Sequence, residues 1–215
     1  QLMAFAELGS ATTAMRLEAL ESLATWNANP FIDRVVGRVR HLLNRASTAG
    51  ELVLKDRFQK LLDLADGGFR SELIRLAAQY KIDVNDSILV EWLMDEGMDI
   101  KTRVRALISL TESDHDGLSE IVLNVISTKD VGLRTQALRS LAKINVEEFI
   151  HVFTQQGNRW STLELQVGLQ LIGEIQEDIS VPVLFHFVEK LRNDSLDPKL
   201  QLDVISAANK LGNSE

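Results

Sequence analysis

Four histidines are the side chains of this sequence most able to do chemistry, and they lie at positions 41, 115, 151 and 186. No two of them have the spacing that would place a pair of metal ligands on one helical turn. The turn Asp114-His115-Asp116 could contact a metal ion, but a solvated loop that caps the next helix explains it more simply. We therefore predict no metal site and no cofactor.

Composition excludes further chemistries. The 215 residues include no cysteine, which excludes disulfides, thiolate metal sites and a cysteine nucleophile. The sequence also has no G-x-S-x-G motif and no glycine-rich phosphate loop. A formal net charge of -8 argues against broad nucleic-acid binding, which needs a basic face. Because no apolar run is long enough to cross a bilayer, we predict neither a nucleic-acid partner nor a membrane span.

Three arginines recur with an aspartate four residues before each of them. An arginine in such a position could bind phosphate, but the paired aspartate favours a structural role. The three pairs are Asp66 with Arg70, Asp99 with Arg103, and Asp130 with Arg134.

These pairs belong to a longer internal repeat. Residues 130–142, DVGLRTQALRSLA, are its clearest copy: a capping residue, an arginine four positions later, a small-apolar pair, and a further apolar position. Weaker copies open and close the chain. The small positions are 19, 73, 106, 137, 168 and 204, so the period after the first gap is 31 to 36 residues. A period of this length is typical of stacked helix pairs.

Each copy reads as the second helix of a pair. Its first residue is a good helix N-cap in every case: Thr12, Asp66, Asp99, Asp130, Ser161 and Asp197. The first helices are predicted over residues 52–65, 85–95, 116–127, 146–155 and 180–191. Because neither helix of a pair can bury its apolar face alone, neighbours must stack. The sequence predicts an all-α, α-solenoid (superhelix) fold of about six helix pairs, forming a single domain over residues 1–215.

The D-x-x-x-R-x-x-A-L-x-x-L-A spacing resembles bacterial HEAT-like repeats, including the short-period type found in phycobilin lyases. The resemblance covers nearly the whole chain apart from one insertion. It implies that the second helices line an inner face and that aspartate and arginine link neighbouring repeats through a hydrogen-bonded ladder. That ladder would use Asp66, Arg70, Asp99, Arg103, Asp130 and Arg134, and it would be weak where Leu165 and Gln201 replace the arginine.

The first gap of the repeat is 54 residues, long enough for an inserted amphipathic helix near residues 30–46. Insertions in solenoids often map to a functional face. This segment is locally basic, so it could dock an acidic partner or another domain; alternatively, neighbouring acidic residues pair with its arginines. The candidate partner-binding residues are Trp26, Phe31, Arg34 and Arg38.

Residues 20–38 also resemble a segment of large secreted proteins of planctomycetes and their relatives. Those proteins join a sugar-dehydrogenase-like propeller, HEAT repeats and a cytochrome c-like domain. The resemblance implies a spacer or docking region in an extracytoplasmic or periplasmic protein; otherwise a cytoplasmic location is expected. The sequence begins partway along a predicted helix and stops just after Gly212, so we expect a fragment of a longer protein.

The function predicted from the sequence is a non-catalytic protein–protein interaction, spacer or scaffold module. Its partner would be a protein or adjacent domains of the same chain, and the oligomeric state stays open. The outward positions of the second helices mix acidic, basic and neutral side chains, unlike the cationic face that a DNA glycosylase needs. The alternative is an enzyme on a HEAT-like scaffold, bilin-lyase-like or DNA-glycosylase-like, which would show a deep pocket with convergent titratable groups.

Overall fold

The computed structural model describes residues 1–26, 37, 39, 47–156, 159–175 and 177–212. Within these residues the protein is all-helical and has no strand, which confirms the predicted class. Short 3-10 helices, Asp178–Ser180 and Pro198–Leu200, precede the last two α-helices. The α-helices are α1 (Leu2–Ala6), α2 (Thr13–Ala24), α3 (Ser47–Asp63), α4 (Gly67–Tyr80), α5 (Asp86–Met94), α6 (Ile100–Glu112), α7 (Leu118–Ile126), α8 (Val131–Ile144), α9 (Val146–Gln155), α10 (Thr162–Glu174), α11 (Val181–Arg192) and α12 (Gln201–Gly212).

Helix boundaries agree closely with the sequence prediction, because caps and breaks are local signals. Helix α9 has the predicted bounds, and α5, α7 and α11 differ from prediction by one or two residues. Helix α3 is the exception, since the predicted helix began at residue 52, whereas α3 begins at Ser47 and contains Gly50. Gly50 is buried, and a Cβ there would lie 3.3 Å from the Cβ of Trp26. The inserted helix predicted near residues 30–46 falls outside the described residues, apart from residues 37 and 39.

The chain divides into two compact units, Gln1–Ser109 and Leu110–Glu215, with the boundary inside α6. In the first unit, α2 packs against α1 and α4, and α3 packs against the same two helices. A side-chain hydrogen bond from Arg105 Nε to Ser71 Oγ (2.9 Å) joins α6 to α4. The second helices of successive pairs are therefore neighbours in this unit.

In the second unit, α8 packs against α7, α9 and α10, and α10 packs against α11 and α12. Helix α10 thus contacts the second helix of the pair before it and of the pair after it. The repeated small positions of these helices, Ala137, Gly168 and Val204, are all buried. The core therefore follows the apolar face that the repeat defines.

Two glycines let other helices approach α10 closely. A Cβ at Gly173 would lie 2.7 Å from the Cα of Ala207 in α12, and a Cβ at Gly168 would overlap the ring of Phe153 in α9. Phe153 is itself buried and stacks on Trp160, with 6.4 Å between ring centroids. Glycine inside a helix costs about 0.5–1 kcal/mol relative to alanine, and the close packing here offsets that cost.

The substitution Gly173→Ala tests this close approach. The new methyl group would press on the backbone of α12, so we expect a loss of about 1–3 kcal/mol in the free energy of unfolding. Urea denaturation followed by circular dichroism measures it. Gly212→Ala is the matched control, because Gly212 is helical in the same unit and has no atom near its would-be Cβ. The control should not lower stability and should raise it by at most about 1 kcal/mol, because alanine favours the helix; an equal loss in both variants would contradict the packing argument.

Candidate functional site

The structure describes one of the four predicted partner-binding residues. Trp26 follows α2 and is partly buried, with its Cβ against α3 at Gly50. Phe31, Arg34 and Arg38 lie outside the described residues. The proposed docking patch on the inserted helix therefore stays a prediction.

Two repeat-position arginines bind the C-terminal end of the first helix of their own pair. Arg16 Nε donates to the carbonyl oxygen of Ala6 in α1 at 2.8 Å, and Arg103 Nε donates to that of Leu93 in α5 at 2.8 Å. Both arginines are buried, and both carbonyls belong to the last turn of a helix, where no intrahelical donor is available. A cation there also interacts favourably with the helix dipole.

Arg70 occupies the same repeat position but has different partners. Its Nη1 lies 3.1 Å from the sulfur of Met98, and its guanidinium carbon lies 5.4 Å from the ring centroid of Trp92. Its buried Nε has no hydrogen-bond partner. The repeat therefore fixes where this arginine lies on α4 but not what it binds.

Arg134 makes the strongest link between helix pairs in the second unit. Its Nε and Nη2 donate to the two carboxylate oxygens of Glu164 at 2.6 and 3.0 Å, and its Nη1 donates to the carbonyl of Thr128 at 2.9 Å. The Glu164 side chain is 0% exposed and that of Arg134 is 15% exposed. A bidentate pair of this kind is directional as well as strong, so it sets α8 against the start of α10.

Glu164 also completes a capping box at the N-terminus of α10. Its Oε2 accepts from the backbone N–H of Ser161 at 2.7 Å, and the Ser161 hydroxyl accepts from the Glu164 backbone N–H. Burial alone would raise the pKa of the Glu164 carboxyl, but the hydrogen bonds from Arg134 and Ser161 outweigh it and lower that pKa below its usual 4.5. The carboxylate is thus held in its charged form.

The predicted aspartate–arginine ladder needs correction. Asp66 lies at the N-cap of α4 but makes no capping hydrogen bond; it accepts instead from the hydroxyl of Thr13 in α2 at 3.4 Å. Among the described residues the hydrogen bonds of the repeated arginines go to carbonyls, Glu164 or Met98, and the remaining aspartates cap helix N-termini. Those caps accept from backbone amides at 2.8–3.0 Å: Asp99 from Thr102, Asp130 from Leu133 and Asp197 from Lys199.

Two ion pairs lie on the outward side of the second helices. Glu72 accepts from Arg75 within α4, and this hydrogen bond, against the opposing effect of burial, raises the pKa of Arg75. In the second unit Glu174 accepts from Gln170 at 3.1 Å and from Lys210 at 3.0 Å, which lowers the pKa of its carboxyl. These side chains form a mixed, internally neutralised surface.

A cleft of about 580 Å³ opens in the second unit between α9, α11 and the residues that lead into α12. This volume falls within the range of ligand-binding sites. Its apolar floor includes the rings of Phe153 and Phe187, whose centroids lie 6.2 Å apart. The other apolar lining residues are Leu165, Pro182, Val183, Leu196 and Leu200.

The rim of this cleft is polar and partly charged. Lys190 Nζ lies 5.7 Å from the centroid of the Phe187 ring, and the His186 ring meets the same ring edge-on at 5.8 Å. Asp197 is the acidic residue of the lining, and its Oδ1 accepts from the backbone of Lys199. Among the described residues, no hydrogen bond or ion pair engages the ammonium of Lys190 at the mouth of the cleft.

A second cavity, of about 490 Å³, lies in the first unit between α1 and α3. Glu7 stands in its wall and pairs with both Arg57 and Lys60 of α3. Leu52 and Val53 line it as exposed apolar side chains. The charged side chains of Glu7, Asp56 and Arg57 in its wall form ion pairs within the chain. This cavity therefore presents fewer available charged groups to a ligand than the cleft of the second unit.

Sequence reasoning missed both Glu164 and the cleft. The Ser161-x-x-Glu164 capping-box signature was present in the sequence and could have drawn attention to Glu164. The cleft had no such signal, because Phe153 and Phe187 are 34 positions apart and meet only in the folded unit. His186, an isolated histidine in the sequence, lies at the rim.

In the part of the chain that the structure describes, no group of three or more histidine, aspartate and glutamate side chains is placed to hold a metal ion. No helix among those residues combines the length and the apolar character needed to cross a bilayer. Comparison of the chain with known protein families, curated proteins and solved structures gave no match. A functional proposal therefore depends on the geometry of the cleft and its surroundings.

The substitution Glu164→Gln tests the buried link between α8 and α10. It leaves the Arg134 charge without its carboxylate, so we expect a loss of about 2–3 kcal/mol in the free energy of unfolding at pH 7. The folded-state pKa is lowered, so the carboxylate stabilises the fold above the usual pKa of 4.5, and that contribution is lost as the pH falls through the folded-state value. Urea denaturation at pH 7 and pH 3 should therefore show a difference from wild type that shrinks in acid.

The matched control is Glu189→Gln, which removes an exposed carboxylate from α11 in the same unit. Its stability should stay within about 0.5 kcal/mol of wild type at both pH values. A Glu164→Gln effect that is the same at pH 3 and pH 7 would show that the charge of Glu164 does not stabilise this junction.

Proposed function

We propose that this chain is a non-catalytic protein-interaction module built as a HEAT-like α-solenoid, which presents its helix-pair surfaces to a protein partner or to adjacent domains of its own protein. The apolar cleft of the second unit carries this proposal. The cleft combines a hydrophobic floor with a sparse polar rim, which suits an apolar side chain from another polypeptide.

The packing of the helices supports the solenoid part of the proposal. Within the second unit α10 contacts both α8 and α12, and within the first unit α2 contacts α4. Side-by-side second helices are what a stack of helix pairs requires. Buried small residues at the repeated positions, such as Ala137 and Gly168, are consistent with the same arrangement.

Exposed apolar side chains of α11 support the interaction part. Phe185 is 57% exposed and Val181 is 51% exposed, and both lie on α11, which also forms one wall of the cleft. They are four residues apart and so share one face of the helix. Neither residue lines the cleft, and the periodicity of the helix places them on a different face of α11 from the residues that do. They add a second exposed apolar surface, of a kind typical of protein-binding sites.

The polar side chains favour this function over the enzyme alternative. Glu72 and Arg75, which would have suggested an enzyme had they lined a pocket, bind each other and line neither cavity. At the cleft, the carboxylate of Asp197 accepts a hydrogen bond from the backbone N–H of Lys199, in the short 3-10 helix before α12. An acid–base mechanism needs titratable groups that converge on one point, and the cleft walls are mainly apolar.

Site-specific photo-crosslinking tests the proposed function. A benzophenone amino acid in place of Phe185, in the full-length protein in its native cells, should yield a discrete adduct with a defined polypeptide. The same probe in place of Lys143, an exposed residue of α8, is the control and should not give that adduct. Excess wild-type protein should compete the adduct away, whereas Phe185→Ser protein should compete at least about fivefold less well, since an interface aromatic typically contributes over 1 kcal/mol. Adducts that are absent, or identical at both positions, would contradict the proposal.

A further inference from the structure

The chemistry of the cleft indicates what kind of segment it would accept. Its floor is aromatic and aliphatic, and the rings of Phe153 and Phe187 are held in a tilted arrangement 6.2 Å apart. Phe153 is fixed in turn, because it is buried and stacks on both Phe149 and Trp160. An apolar side chain that enters the cleft would therefore meet a preformed surface.

The ammonium of Lys190 stands over this floor. Lys190 Nζ lies 5.7 Å from the centroid of Phe187, so the ammonium group is held above a ring that forms the wall of the cleft. Among the described residues no carboxylate lies within ion-pair distance of Lys190, and the Asp197 carboxylate is engaged by the backbone of Lys199. A ligand that packs on Phe187 would place its own polar end close to an ammonium group that has no ion-pair partner among the described residues.

We propose that the cleft receives an apolar side chain of a partner polypeptide next to an acidic residue, and that Lys190 pairs with the neighbouring carboxylate. This inference rests on the proposed protein-interaction function and names the chemistry of the partner. Charge complementarity selects this occupant, because an apolar segment with a basic neighbour would bring two cations together over Phe187.

Three blocked dipeptides provide a matched set of probes: acetyl-Phe-Glu-amide, acetyl-Phe-Gln-amide and acetyl-Phe-Lys-amide. Each is titrated into 15N-labelled protein while the amide resonances of α9, α11 and the residues before α12 are followed by NMR. The glutamate probe should shift those resonances and bind about two- to fivefold more tightly than the glutamine probe, as expected for an exposed ion pair. The lysine probe should bind most weakly.

The variants Lys190→Gln and Lys190→Glu identify the cation responsible. Lys190 is exposed, so neither substitution removes a buried contact. In Lys190→Gln the glutamate and glutamine probes should bind equally, and in Lys190→Glu the order of the glutamate and lysine probes should invert. Lys143→Gln removes an exposed lysine of α8 away from the cleft lining and should preserve the wild-type order.

The outcomes separate this inference from the proposed function. The inference would be overturned by probes that bind the cleft equally whatever their charge, or by probes that do not shift its resonances. In either case, crosslinks at position 185 would still support the proposed interaction function. A wild-type order that survives in Lys190→Gln would also overturn it. Absence of crosslinks would contradict the proposed function whatever order the dipeptides show.

Discussion

Helix ends that are buried between neighbouring helices leave carbonyl and amide groups without intrahelical partners, and satisfying them is the constraint on which this structure depends. Arg16 and Arg103 reach back to the last turn of the preceding helix and donate to its carbonyls. Arg134 donates to the carbonyl of Thr128, just beyond the end of α7, and also binds Glu164, whose carboxylate caps the N-terminus of α10. Arg16 and Arg103 therefore close helix ends, whereas Arg70, at the same repeat position, contacts Met98 instead.

Helix α10 shows how these local solutions become tertiary structure. At its N-terminus Glu164 joins it to α8, and along its length Gly168 and Gly173 admit Phe153 and the backbone of α12. These contacts fix Phe153, which forms part of the cleft floor together with Leu165 of α10. The shape of the candidate site thus follows from packing interactions that have no chemical role of their own.

Charged side chains that form ion pairs and the lysine at the cleft lie in different parts of the structure. On the outward side of the second helices Glu72 pairs with Arg75 and Glu174 pairs with Lys210, and such pairing limits the field that the surface presents to a large polyanion. At the cleft, by contrast, the ammonium of Lys190 lies over the ring of Phe187, in a lining that is mainly apolar. A surface of this kind favours an apolar segment with a complementary charge over an extended charged partner.

The sequence by itself determined the helical class, most helix boundaries and three of the four aspartate caps, because these depend on residues within one or two turns of each other. It also placed the small residues of the repeat on the buried face. It did not determine that α3 continues through Gly50, since the burial of this glycine against Trp26 depends on a neighbouring helix.

Only the tertiary structure decided the partners of the repeated arginines and the position of the cleft. Arg70 and Arg134 share one sequence pattern but bind Met98 and Glu164, because each guanidinium takes the acceptor that its neighbouring helices bring within reach. Phe187 and Phe153 likewise meet only after α9 and α11 have packed into the same unit. Local patterns fix helices and their ends, whereas a binding surface made from residues more than thirty positions apart requires the packing of those helices.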